Sequence, residues 1–175
     1  MHADPVLTLL MALALITGHH LGDRWIQTDH QALTKGRPGI TGITACAGHV
    51  STLTAAQALM IALVVTVTGV EATATSVGAG LAVTALSHYW ADRRETLRGL
   101  VLALDPITGK AAYYDHGGAE ALDQAWHRAW IVPAALIAAS PVVLAALLTA
   151  LCCAVLAAAD LASRHALRAE AHTAA

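Results

Sequence analysis

VVLAALLTALCCAVLAAA, residues 142–159, decides the fold class. It carries no charge, and Thr149 and the two cysteines are its only relief, so a helix built from it has no polar face to turn to water. An alanine-rich soluble bundle needs such a face on every helix; a hydrocarbon-spanning helix of roughly 17–25 residues does not. Working outward, and setting histidine aside, three more uncharged windows reach that length: Pro5 to Gly22, Pro38 to Val70 and Ala72 to Ala91. The quoted stretch sits inside a fourth, Ala129 to Ala159, which Pro141 divides. Hydrophobic residues make up 57% of the chain and charged residues 13%, with mean hydropathy +0.59; soluble domains carry about a quarter charged residues. The expectation is an all-α polytopic membrane protein, with four to five transmembrane helices in one bundle. Residues 1–175 form a single membrane domain, with a core over 5–139 and a C-terminal hydrophobic helix and polar tail over 140–175.

The N-terminal apolar stretch lacks the Lys/Arg-bearing region and small-residue cleavage site of a secretory signal, so it reads as a mature helix. Asp4 before Pro5, and Ser140 before Pro141, suit an N-cap followed by a first helical position. Ala138 to Pro141 leaves almost no loop for a reversal, so the last two spans are either a tight hairpin or one kinked helix. Cys46, Cys152 and Cys153 show no metal or disulfide spacing and read as packing residues. Net charge is −2, without the basic block that nucleic-acid phosphates require, which excludes DNA or RNA as a partner.

Five spans alternate the loops between two sides. One side receives Arg24, Lys35, Arg37, Arg93, Arg94, Arg98 and Lys110, and the tail with Arg164 and Arg168; Arg128, one turn into the fourth span, reaches the same side by snorkelling. By the positive-inside rule that side is cytoplasmic and the N-terminus is outside. Trp25, Trp90, Trp126 and Trp130 fall at the same level, where an aromatic belt is expected. The segment 99–110 is too short to cross and reads as interfacial or re-entrant.

Ionisable groups gather at that level. His19 and Asp23, His88 and Asp92, and Asp123 and His127 are each spaced four apart, which puts each pair on one helical face. The third pair is reversed in order, as it should be on a helix running the other way. His49 lies at the start of the second span. Imidazoles and carboxylates at the edge of a span are costly unless paired or ligating, so these seven residues point to one shared site. Mixed nitrogen and oxygen donors favour a divalent transition metal, Zn, Mn or Fe, over Ca or Mg, as one or two ions. Gln27 continues the His19–Asp23 stripe and is a further candidate for a catalytic role. Gly22 permits close helix approach. His30, His116, Tyr113 and Tyr114 are candidates to border an entrance.

HHLGDRWIQTDHQALTKG, GHVSTLTA, LSHYWADRR and LDQAWHRAW together resemble the small bacterial and phage membrane proteins grouped as domain-of-unknown-function family 3307, over about residues 9–130. The family's opening motif matches His19, Asp23 and Gln27, and its D-Q-x-x-H element matches Asp123, Gln124 and His127. Some members carry a further histidine where this chain has Ala45. The pairs are also similar to those of inner-membrane proteins called metal-dependent hydrolases; the resemblance implies a location in the bacterial cytoplasmic (inner) membrane and, by analogy, a hydrolytic activity.

Three functions compete. In a metal-dependent hydrolase, His19, Asp23, His49, His88, Asp92 and His127 hold the metal, and Asp123 ligates, orients or acts as general base on an ester or phosphoester. Membrane lipid, or a lipid-linked substrate, suits headgroup depth. A metal- or polar-cluster-stabilised scaffold for a partner protein is the second, and an ion or proton carrier the third. A carrier needs ionisable groups toward the other side, where only Glu71 lies.

Overall fold

The computed structural model describes residues 1–173, and no strand occurs among them. The chain forms α1 (Pro5–Leu21), α2 (Asp29–Thr34), α3 (Gly39–Thr68), α4 (Ala74–Asp92), α5 (Glu95–Thr108), α6 (Ala111–Tyr113), α7 (Ala119–Ala138) and α8 (Val142–Thr173). A π-helical turn, Gly22–Ile26, prolongs α1, and another, Tyr114–Gly118, leads into α7. Three segments are long and apolar enough to cross a membrane: Pro5–Ile26, Gly39–Thr68 and Val142–Thr173.

Local chemistry sets the boundaries. The Asp4 carboxylate accepts from Leu7 N–H at 2.7 Å, capping α1 ahead of Pro5. Thr28 and Gln31 form a reciprocal capping box on α2. Gly69 ends α3 at φ 69°, a left-handed cap that glycine adopts without steric cost.

α1, α3, α4 and α7 form the ring of a bundle, α1 against α3 and α7, and α4 against α3 and α7; α8 packs outside on α4, α5 and α7. Small residues let the backbones close in: a Cβ on Gly18 would lie 2.5 Å from Gln57 Cα, and one on Gly80 would lie 2.6 Å from Ala134 O. Met11, Leu15, Ile61, Ala134, Ala135 and Ala138 fill one half of the interior. Below them Gln57 donates to Leu15 O at 3.2 Å and accepts from Thr84 Oγ1 at 2.9 Å, joining three helices across the core.

Residues 139–141 make a reversal, not a kink. Trp130 and Ile137 of α7 share one core cluster with Ala145 and Cys152 of α8, and the two helices pack on each other, as a helix that continued straight on could not. Ser140 is not the cap expected of it: its hydroxyl turns back to donate to Leu136 O at 2.7 Å, closing α7. The hydrophobic helix and the polar stretch after it are one element, α8, which runs unbroken to Thr173. Arg98 on α5 grips Glu170 through two 2.7 Å hydrogen bonds. Residues 99–108 belong to α5, which lies along α8 with Gly99 against Ser163. The aromatic belt also needs correcting. Trp25 is exposed, but Trp90, Trp126 and Trp130 pack against one another as tilted rings at 4.8 and 5.5 Å, and two of their N–H groups donate to protein: Trp90 to Asp160 and Trp126 to Ser87 O. A belt residue faces lipid; these face protein.

Candidate metal centre

α1 and α4 run toward one end of the bundle, and α3 and α7 start from it. His19 and His88 therefore meet His49 and His127 at one level, all four buried. Gly22, one residue before Asp23, fits against Leu53 of α3, where a Cβ would lie 2.7 Å from Leu53 Cα. The π-helical turn at this point swings Asp23 across toward α3 and α7, so that Asp23 Oδ1 lies 3.3 Å from His49 Nε2 and Asp23 Oδ2 accepts from Gln124 Nε2 at 2.7 Å. Such turns widen the helix by one residue and recur at functional sites.

Three atoms form a first group, Asp23 Oδ1, His49 Nε2 and His88 Nε2, and Asp92 Oδ2 lies beside its two histidines. The two histidine nitrogens are 3.0 Å apart, Asp23 is 3.3 and 3.8 Å from them, and Asp92 is 3.4 and 3.2 Å from them. Donors placed tetrahedrally around an ion at the usual metal–ligand distance of about 2.0–2.1 Å are separated by roughly 3.3–3.4 Å. Within this group of three the donor atoms lie within 4.8 Å of one another, close enough to share an ion. Both Asp92 oxygens are buried; one ammonium, that of Lys35, meets Oδ1 at 2.8 Å, and a bound cation would offset the second carboxylate, Asp23.

The remaining expected residues adjoin this set. The His127 ring stacks on His88 at 3.8 Å between centroids, its Nε2 3.7 Å from Asp92 Oδ1 and 3.2 Å from Asp123 Oδ2. His88, Asp92 and His127 thus make a second group of ligating side chains that shares His88 with the first. His19 packs against both rings at 5.3 and 5.4 Å, its Nε2 buried without a partner. Asp123 stands at the edge, a quarter exposed. Gln27 borders the same space, its amide nitrogen buried and unpaired.

The centre opens into a cavity of about 480 Å³, lined among others by Asp23, Asp92, Asp123, Gln27, Gln124 and Tyr114. Of the entrance candidates Tyr114 lines it, and burial raises its phenol pKa, keeping the hydroxyl a donor at neutral pH.

Sequence reasoning missed Lys35. It reads as a solvated loop residue in TKGRPG, yet its ammonium reaches the centre, 2.8 Å from Asp92 Oδ1, and the residue is buried. Two arginines carry it there. Arg93 donates to Lys35 O at 2.5 Å and Arg37 O at 2.7 Å, and Arg94 to Ala32 O at 3.0 Å. The chain closes tightly enough that a Cβ on Gly42 would overlap Arg37 O. The only prior signal was the adjacency of Arg93 and Arg94 to Asp92, which reads equally as a cytoplasmic helix end.

Fold and site together define an all-helical protein with membrane-length apolar helices and a buried His/Asp cluster able to hold a metal ion. No family model, curated protein or solved structure matches the chain.

Proposed function

We propose that the chain is a multi-pass protein of the bacterial inner membrane that holds one divalent transition metal, Zn, Mn or Fe, and hydrolyses an ester or phosphoester at the cytoplasmic leaflet. The observation that carries the metal reading is the pair of donor groups that meet at His88, Asp23–His49–His88 and His88–Asp92–His127, brought together from the turn after α1 and from α3, α4 and α7. One ion is favoured over two because Lys35 already supplies a positive charge at the second oxygen of Asp92.

Five crossings are supported by length. α4 has 19 residues and α7 has 20, about 28–30 Å at 1.5 Å per residue, the thickness of the hydrocarbon layer. Their lower hydropathy follows from their place in the ring: Ser76, Thr84, Ser87, Gln124 and His127 face protein, not lipid. The positive residues gather in the loops at the metal end, which supports a cytoplasmic site and an external N-terminus. The resemblance to family 3307 agrees with a small inner-membrane protein and adds no activity of its own.

A bound divalent ion supplies Lewis acidity toward water and toward an ester oxygen. Asp123 is the general base: partly exposed, on the cavity wall and held by His127, it takes the proton as water adds to the substrate's carbonyl carbon or phosphorus. That proton passes to the departing alcohol. Gln27 and Gln124 orient, Gln124 by fixing Asp23. The open cavity favours a catalytic centre over a closed structural one. The scaffold reading would gain if partner-protein capture persisted without turnover. A carrier is disfavoured by the apolar packing of the other half of the bundle.

Metal analysis of detergent-purified protein tests the centre. About one transition-metal ion per chain in wild type, lost in His88→Ala and Asp92→Asn, supports it; folded wild type without metal overturns it. Hydrolysis of chromogenic esters and phosphoesters by the loaded protein, abolished in Asp123→Asn with metal retained, tests the activity.

A further inference from the structure

The cavity above the centre has a cationic wall of unusual construction. Arg24, Lys35 and Arg94 line it from three separate segments: the π-helical turn after α1, the loop after α2, and the turn between α4 and α5. Two of these cations have carboxylate partners, Lys35 with Asp92 and Arg24 with Glu120 at 3.0 Å across the mouth. Arg94 makes no ion pair among the described residues, and of its guanidinium donors one reaches Ala32 O.

Arg94 is also the single non-glycine residue with positive φ among the described residues. At φ 60° and ψ −56°, with Glu95 N–H donating to Arg93 O at 2.7 Å, it is the centre of a γ-turn of the rare, strained hand. Such conformations cost about 1–3 kcal/mol and persist where the surroundings enforce them, often where a side chain must be aimed. Here the turn sends Arg93 to the loop carbonyls and Arg94 to the cavity. Gly36 leaves the room: a Cβ there would lie 2.6 Å from Arg94 Cδ. Glycine would suit the backbone at position 94, so the strain accompanies the guanidinium.

Charge bookkeeping gives the ligand its sign. Asp23 and Asp92 face the centre, Asp123 pairs with His127 and Glu120 with Arg24. Once a divalent ion balances the first two, Lys35 and Arg94 outweigh the Asp123 carboxylate by one positive charge, and the Tyr114 hydroxyl adds a donor. That suits a compact, multiply charged oxyanion with bidentate arginine geometry, a phosphate group, better than a neutral carboxylic ester. A volume of about 480 Å³ admits a phosphate with a small headgroup and leaves longer chains outside. Trp25 and Leu33, adjacent in sequence to cavity residues Arg24 and Ala32, are 85% and 70% exposed and offer such chains an apolar lip.

Resting on the metal-centre reading, we infer that the substrate class is a phosphate monoester, its phosphoryl oxygens held by Arg94 and Lys35 beside the metal and its alcohol portion directed to the mouth lined by Arg24. The phosphate comes either from a lipid headgroup or from a soluble ester.

The test is binding, read apart from turnover. Full-length zinc-loaded protein in detergent is titrated calorimetrically with inorganic phosphate, with acetate as the control anion, and zinc content is measured on the same samples. Phosphate is expected to bind to wild type and acetate not. Arg94→Gln should weaken phosphate roughly tenfold or more, the loss of one charge-assisted contact, with zinc unchanged and Arg94→Lys partly restoring affinity. Arg94→Gly, which suits the backbone, replaces Arg94→Gln if that variant does not fold. Zinc retained with phosphate binding equal in wild type and Arg94 variants, or equal to acetate, overturns the inference and leaves the metal centre standing. Folded wild type without zinc overturns the centre; phosphate binding that still depends on Arg94 then keeps the cationic wall, and its absence removes both. Nanodiscs of phosphatidylcholine with and without phosphatidic acid, against soluble glycerol phosphate as competitor of inorganic phosphate, separate the two sources: whichever displaces phosphate names its origin, and displacement by neither overturns the monoester assignment.

Discussion

The two ends of the bundle solve the same problem in opposite ways. At the end where α1 begins, every polar group near the ring is answered locally: Asp4 caps α1, Asp4 N–H donates to Ala139 O at 3.1 Å, and Ser76 donates to Ser140 O at 2.8 Å. At the other end His19 Nε2, His127 Nδ1, Gln27 Nε2 and Gln124 Oε1 are buried without hydrogen-bond partners, and Asp92 meets only the Lys35 ammonium and imidazole edges. Native proteins leave few such groups, and each asks for an explanation. The first end is closed by its own hydrogen bonds, whereas the second gathers buried His and Asp groups that could hold a metal ion.

The strongest way to break this contrast is to remove one donor from the centre. His49→Ala should lower metal affinity by more than about a hundredfold, the upper figure for losing an outer-shell partner, as read by metal content after dialysis against a weak chelator. Equal metal retention in wild type and variant would mean that the orphaned atoms are not ligands. Next in size is Lys35→Met. Breaking a buried pair costs about 3–5 kcal/mol when it strands a charge, so the variant should unfold far more readily than wild type after chelation. Added metal compensates the stranded Asp92 and should close most of the gap between the two melting temperatures. A deficit independent of metal would separate Lys35 from the centre.

The contrast was only half legible in the sequence. Three His/Asp pairs at helical spacing, and the uncharged windows around them, gave the helices and the level of the site, because both signals are local and periodic. Lys35 and Arg94 were illegible for the same reason: each acts through a turn that follows a helix, and their partners lie 57 and 62 residues away in sequence for the Asp92 pair and the Ala32 bond respectively. The tryptophans misled because amphipathic side chains at one level fit either a belt or a packed seam. Hydropathy cannot tell these apart until α8 is seen to fold back over α4 and α7. Ser140 was read as a cap from its place before a proline, but a hydroxyl can turn backward to the preceding helix as well as forward.

Between the ends, Gln57 sharpens the comparison. It is buried yet satisfied, and it lies between the apolar half and the centre. Gln57→Leu removes its bonds to Leu15 O and Thr84, which for interhelical hydrogen bonds in membranes is worth roughly 0.6–1.7 kcal/mol. Thermal unfolding should register that loss while metal content stays at the wild-type level. A loss of metal would extend the centre into the bundle core and blur the division between the two ends.

The smallest effect is expected where every group is already answered. Asp4→Ala deletes the α1 cap, at a typical cost of about 1 kcal/mol, but leaves the backbone bond from residue 4 to Ala139 O. Asp4→Asn keeps a side-chain oxygen for Leu7 N–H and should unfold like wild type. Pro5 is already the first helical residue and lacks an N–H, so the cap answers the donor on Leu7 and the helix start survives its loss. Both variants should bind metal as wild type does, since the α1 turn that carries His19 and Asp23 is more than three turns away. If Asp4→Ala lowered metal content while Asp4→Asn did not, the two ends would be mechanically coupled through α1. The helix would then be a rigid strut held in register by its cap, and the satisfied end would share in positioning the centre.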